Sequence, residues 1–551
     1  MREEDESARE AEAGVTLPTA PLMVIRDIGT RFPAPLKKTR RPTTVRIIDE
    51  GLLDEKTARE LAAAFPQSGY NSVLLPEIAE LDWKDEYRDG LPFLHSVCCV
   101  HVIADRRDMA QTMLHRRIFE RVKLALGTLL LDYPLSLDEI QGILMCTDSF
   151  RVGAGDGKEF IDSWMLTGYC AKQAMLCIEF DRIARETRQG KSGAANVRAI
   201  RLWATICLHH LHWTAASGRP STITESYLNY CPLLLNFYDA SVQDGILLAE
   251  LFLYSILPTV LEKPPQLDVD GDCNEFAAWR HEWRHLLALP AAALLKMGYA
   301  SACLLLVVRG LEHQGEQLGP AAFLSRHSSP TTDDEKQQQQ LVQQQQIVNL
   351  RRAAAKHAHA LLQTFLGMPD TLQDSVSSNR CLCLTYGALV LAHYDESQSS
   401  LSDMDNLRLV RRLHEWFSNS PSKVVLARFT NLCEHIIVGR LERARTRGPA
   451  KVGGTGVPDG RYQGKDGTGL AMAHGVGYNY GPLPDGRQVV ASHASSGAAL
   501  TVDGVPVIAT FATSAEGVFN ADPDAQEIAG LFDMLPSINL EDFFAGGYLE
   551  M

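Results

Sequence analysis

Leu114-His115-Arg116-Arg117-Ile118-Phe119-Glu120-Arg121-Val122-Lys123-Leu124-Ala125-Leu126-Gly127-Thr128-Leu129, followed beyond Pro134 by Ser136-Leu137-Asp138-Glu139-Ile140, decides the fold. Leu114, Ile118, Val122, Ala125 and Leu129 recur at three- and four-residue spacing, which lines one face of an α-helix. Pro134 stops the pattern. Ser136 and Glu139 then form a capping box: the hydroxyl accepts from the third helical amide and the carboxylate reaches back. Ile140, Ile143, Leu144 and Thr147 carry a second apolar face. Two amphipathic helices joined by a short proline turn are a helical hairpin. The same texture runs from about residue 46 to 447, with almost no alternating strands or Asn-Gly turns. The expectation is an all-α fold, an irregular stack of helical hairpins.

Outward from this body the composition changes. Residues 1–45 read as a disordered lead-in, in which Lys37, Lys38, Arg40 and Arg41 fit either a nuclear-import signal or a solvated linker. Residues 315–346 read as a polar insertion: a turn-rich stretch, then the glutamine quartets 337–340 and 343–346, which extend the helix that follows. Sixteen of the chain's 41 glycines lie in residues 448–530. A flexible linker is therefore expected over 448–523, followed by a distinct segment, 524–551.

The 551 residues are 45% hydrophobic and 22% charged, with a formal net charge of −14. That charge opposes attraction to nucleic acid, so DNA contact requires a separate basic module. The first 30 residues lack the apolar core of a signal peptide. The stretch Ile246 to Leu261 is interrupted by Glu250 and Pro258, short of the roughly 20 apolar residues of a membrane helix. A soluble, intracellular chain without membrane contact is expected. Twelve cysteines without regular spacing, Cys98, Cys99, Cys146 and Cys177 among them within apolar runs, read as reduced, buried thiols.

Four local patterns mimic catalytic or metal motifs. His281-Glu282-Trp283-Arg284-His285 has the spacing of a zinc peptidase helix but no third ligand motif; Trp279 and Trp283 favour a packing helix. Cys207, His209, His210 and His212 read as core or interface residues. Gly153-Ala154-Gly155-Asp156-Gly157-Lys158 lacks the phosphate-loop gap and reads as an inter-helix turn. Asp268-Val269-Asp270-Gly271-Asp272 departs from a calcium loop at positions 6 and 12 and reads as a linker. No catalytic residue, cofactor or metal is assigned to this chain.

The segment from Gln488 onward holds nine acidic residues and no Lys or Arg. Ile528, Leu531, Phe532 and Leu535 fall at i, i+3, i+4, i+7, with Asp524 and Glu527 placed to cap a nascent helix. Leu540, Phe543 and Phe544 form a second patch beside Glu541 and Asp542. Acids keep such side chains hydrated until a partner groove folds them. A terminal helix docked on its own domain is the alternative.

Several segments resemble the central regulatory region of fungal zinc-cluster transcription factors. Trp164-Met165-Leu166-Thr167-Gly168-Tyr169-Cys170-Ala171 resembles its Trp-then-Gly helix, and Arg201-Leu202-Trp203 through Gly218-Arg219-Pro220 its Arg-x-Trp helix ending in Gly-Arg-Pro. The helix from Ser136 to Met145 containing Gln141, and Pro92-Phe93-Leu94 before Val97-Cys98-Cys99, are similar to earlier elements. Pro21 to Gly29 and Trp279-x-x-x-Trp283 resemble the subgroup of leucine-pathway, weak-acid-response and protease-gene regulators. The resemblance spans roughly residues 20–440. It implies a nuclear regulator of RNA polymerase II genes, not an enzyme, controlling a metabolic or secondary-metabolite pathway. Its tail would contact a coactivator or the transcription machinery, and homo- or heterodimers are in keeping with it. The family's six-cysteine DNA-binding module, which holds two zinc ions, has no counterpart in the cysteine spacing. DNA contact is thus expected only through an additional module or a partner protein. Two other readings stand beside it: an adaptor that titrates a full-length paralogue, and a zinc hydrolase built on His281, Glu282 and His285.

Overall fold

Pro92 sets the entry to the most apolar early helix: extended at its own position, it caps α2 (Phe93–Asp105), whose residues 93–104 are all buried. A helix apolar all round must be covered on every side, and its neighbours do that. α1 (Glu55–Gln67), α3 (Met113–Leu129) and α4 (Leu137–Ser149) pack against it. The antiparallel pair β1 (Thr44–Val45) and β2 (Leu91–Pro92) pins the segment before α1 to the start of α2. The structure, a computed structural model, describes residues 43–67, 90–132, 134–149, 162–314, 334–374 and 376–446.

The fold is all-α, with that two-residue ladder as the one named sheet among the described residues. After α4 come α5 (Ser163–Cys177), α6 (Phe180–Arg188), α7 (Ala194–Ser217), the short α8 (Glu225–Leu228) and α9 (Val242–Val260). The short α10 (Ala277–Glu282) and α11 (Arg284–Leu287) lead to α12 (Ala293–His313) and α13 (Asp334–Leu366). Then follow α14 (Asp370–Gln373), α15 (Ser378–His393), α16 (Glu396–Ser399), α17 (Asp403–Asn419) and α18 (Val424–Thr446). Packing follows the chain: α2 on α4, α4 on α5, α5 on α7, α7 on α9, α9 on α12, α12 on α13, α13 on α15, α15 on α18 and α18 on α17. One continuous apolar cluster runs through all of them.

The predicted hairpin is present. Ser136 N–H donates to Glu139 Oε2 at 2.9 Å and Glu139 N–H to Ser136 Oγ at 3.3 Å, so the capping box closes. Ile140, Ile143, Leu144 and Thr147 are buried. The α3 face is rotated from the sequence reading: Ile118, Phe119, Val122, Leu126 and Leu129 enter the core, while Leu114 and Ala125 lie at its edge. Both glutamine quartets lie within α13, where residues 342–349 are exposed or half-buried and Leu350 is buried. By length and composition the segment Pro290–His313 is able to cross a bilayer, which the sequence reading missed. Two thirds of its apolar window is buried between α9 and α13.

Asp268 to Asp272 is not a linker but a built turn. It is closed by an antiparallel bridge between Leu267 and Cys273, and Asp268 Oδ1 accepts from the amides of Asp270 and Asp272 at 3.0 and 2.8 Å. Gly271 sits at φ +79°, which only glycine adopts without strain.

Candidate functional site

The residues that carried the family resemblance are joints between helices. Arg201 on α7 donates to both carboxylate oxygens of Asp244 at 2.9 Å, and Asp244 in turn accepts from Ser241 as the capping box of α9. One bidentate guanidinium thus fixes the start of α9 to the middle of α7. Trp203, fully buried, packs edge-on against Phe180 and Tyr227 and donates its indole N–H to the Tyr227 carbonyl at 3.1 Å. Gly218 ends α7 in the left-handed conformation, and Arg219 then pairs with Asp162 and lies 5.2 Å over the Trp164 ring. Trp164 donates to the Pro220 carbonyl at 3.1 Å, so the Gly-Arg-Pro turn is clamped onto α5. His210 is held between Thr167 and Thr222, and its burial lowers its pKa to about 4. It is a neutral core histidine.

A second group lies deeper. Glu250 on α9, fully buried, accepts from both Arg380 on α15, at 2.6 and 2.8 Å, and His212 on α7, at 3.1 Å. Arg380 also donates to the Leu294 carbonyl at 2.7 Å, and Asn379 to the His212 carbonyl at 3.2 Å. Burial alone would raise the Glu250 carboxyl pKa. The Arg380 charge and the His212 hydrogen bond outweigh it and hold the value at about 2. Gly298 makes room for this group, since a Cβ there would stand 2.5 Å from Glu250 Oε1. Four helices, α7, α9, α12 and α15, therefore meet at one buried ionic clasp. The adjoining cavity, lined by His212, Tyr254, Ser301, Asn379 and Tyr386 among others, has about 10 Å³, room for at most one water. Its chemistry is that of a structural joint, with no room for an organic substrate.

The peptidase-like motif is taken apart by the fold. The helix breaks at Trp283, so His281 and His285 fall on two separate short helices. His281 lies against Arg284 at 3.1 Å and His285 Nδ1 against the Glu282 carbonyl at 3.2 Å. Both histidines and Glu282 are exposed, while Trp279 and Trp283 are buried and Trp279 donates to the Ala249 carbonyl at 2.8 Å. Lys37, Lys38, Arg40 and Arg41 lie outside the described residues. So do Leu531, Phe532, Leu535, Leu540, Phe543, Phe544 and the glycine-rich 153–158 turn.

Sequence reasoning missed one constellation. Cys273, Cys303 and His357, all buried, have ligand-capable atoms within 4.8 Å of one another. They come from the end of the aspartate turn, from α12 and from α13, 30 and 54 residues apart, so no local spacing announces them.

Residues 51–325 match the family model described as the middle domain of the transcriptional activator of proteases prtT. The transcriptional activator of proteases of Aspergillus oryzae is 27% identical over 273 residues, 48% of this chain and 41% of that protein. The same-named protein of Penicillium rubens is 28% identical over 193 residues, 34% of this chain and 29% of its own length. A transcriptional regulatory protein of Schizosaccharomyces pombe is 26% identical over 147 residues, about a quarter of each chain. No solved structure matches. The chain spans less than half the length of the curated relatives it matches. The matched region contains α1 to α12, including the Arg201–Asp244 and Arg219–Trp164 joints, and through it the chain belongs to the prtT-like family of fungal zinc-cluster transcriptional regulators.

Proposed function

We propose that this chain is a nuclear transcriptional regulator of RNA polymerase II genes in a fungus, whose helical body receives or restrains a signal and whose acidic segment 524–551 recruits coactivator. The observation that carries the reading is the match of residues 51–325 to the regulatory middle domain. The clasped helices support it: a body joined by ion pairs, in which the cavity beside the Glu250 clasp has about 10 Å³, suits interaction and relay. The relatives' names make protease genes the first target class to examine. Lys37, Lys38, Arg40 and Arg41 supply an import signal in this reading, and DNA is reached through a zinc module or a partner.

The test is a fusion of residues 524–551 to an unrelated DNA-binding domain before a reporter. Burying one large apolar side chain in a partner groove contributes about 1.5–3 kcal/mol. Three such anchors contribute about 4.5–9 kcal/mol against an ordering cost of about 2–5 kcal/mol. Activation is expected, abolished by Phe532→Ala with Phe543→Ala and only weakened by Glu541→Gln with Asp542→Asn. A silent fusion, or an aromatic variant as active as the parent, refutes the role of the tail.

A further inference from the structure

We propose that Cys273, Cys303 and His357 form a structural site for one thiolate-preferring divalent cation of the zinc class, tying the aspartate turn to α12 and α13. Two cysteine sulfurs and an imidazole nitrogen within 4.8 Å of one another are the donor set such an ion selects. In a tetrahedral zinc site the ligand–ligand edges are about 3.4–3.8 Å, given bonds of about 2.0–2.3 Å, so closure asks for movements of about 1 Å or less. Asp272 Oδ1, 3.8 Å from His357 Nε2, lies on the outer nitrogen of the imidazole, which leaves Nδ1 as the ligating atom.

The surroundings are prepared for an ion. The turn that delivers Cys273 is rigid, closed at Leu267 and Cys273 and fixed by Arg280 to Asp268 and Asp272. Lys356 Nζ donates to Asp272 Oδ1 and to the Asp270 carbonyl, both at 2.7 Å, and His357 Nε2 meets the Gly271 carbonyl at 3.1 Å. That carbonyl is the kind of outer partner that orients a ligating imidazole. Glu275 Oε2, two residues beyond Cys273, is buried without a hydrogen-bond partner. The charge count is also favourable. Carboxylates Asp268, Asp272 and Glu275 against Arg280 and Lys356 leave a net −1 around neutral thiols. Exchanging the two thiol protons for one divalent ion leaves that sum unchanged, so loading adds no charge to the interior.

The test is metal content of the purified full chain after growth with zinc and dialysis. About one zinc per chain is expected, falling at least tenfold in Cys303→Ser and, separately, in His357→Gln, with helical circular dichroism confirming that each variant is folded. Cobalt substitution should give the thiolate charge-transfer band and the intense visible bands of a tetrahedral site. Affinity should fall about 100-fold per pH unit below the thiol range, as two protons compete with one ion. A folded parent chain that retains no zinc or cobalt, metal that persists in both variants, or a disulfide between Cys273 and Cys303 in the purified protein each overturns the proposal. Because the readout is metal and not transcription, its failure is separable from that of the functional reading above.

Discussion

Replacing Arg380 by Met removes the principal counter-charge of Glu250 and leaves a fully buried carboxylate with His212 alone. The Glu250 carboxyl sits at about 2, against an ordinary 4.5, despite burial that by itself would raise it. At about 1.36 kcal/mol per pKa unit, the clasp contributes roughly 3 kcal/mol of stability at neutral pH. This agrees with the roughly 3–5 kcal/mol lost when one partner of a buried pair is deleted. The sign follows from the depressed folded value. The contribution is fully present above pH 4.5 and is lost as pH falls from 4.5 through 2. In the variant, desolvation dominates, the carboxyl titrates above its ordinary value, and acid no longer costs stability at this group. Urea unfolding followed by circular dichroism at pH 7, 5, 4 and 3 should show Arg380→Met destabilised by about 3–5 kcal/mol at neutral pH, with the gap narrowing as pH falls through the variant's raised carboxyl value and narrowing further below pH 4.5. His212, Tyr254 and Cys383 face the same carboxylate from α7, α9 and α15 and are unchanged by the substitution. A loss under about 1 kcal/mol, or a gap constant from pH 7 to 3, refutes the assignment.

Gly298→Ala should destabilise by about 1–3 kcal/mol, because its Cβ would stand 2.5 Å from the pinned Glu250 Oε1. Gly127→Ala, on an exposed face of α3 with nothing within 4 Å, should stabilise by about 0.5–1 kcal/mol and serves as the control in the same urea series. Thiol labelling of the native chain should reach Cys177 ahead of the other cysteines, which are buried, and all twelve only in denaturant. Even Cys177 should react slowly, since burial raises its pKa.

Local physics was legible in the sequence. The Ser136–Glu139 box depends only on residues three apart, and it closes as read. The Trp279/Trp283 spacing correctly marked a buried face, which removed the peptidase-like histidines from consideration. Phase along α3 was less legible: Leu114 and Phe119 are equally apolar, and only the placement of α2 decides which of them enters the core. The Glu250 clasp was invisible for a related reason. Glu250 interrupts an apolar run and so reads as a flaw in a helix, while its partners lie 38 and 130 residues away. The sulfur–imidazole cluster is the extreme case, since its members share no periodicity and meet only because α12 and α13 pack side by side.

The position of α12 has a consequence for how the chain is made. This helix and its leading turn, Pro290–His313, emerge from the ribosome with α9 already available to cover one side. The other covering surface, α13, is complete only at Leu366. At about 5–20 residues per second, those 53 residues take about 3–10 s to synthesise. During that interval a segment long and apolar enough to pass for a membrane anchor lies half covered on the nascent chain. A factor that holds nascent apolar helices should therefore raise the yield of this chain, and slow decoding between codons 314 and 366 should lower it.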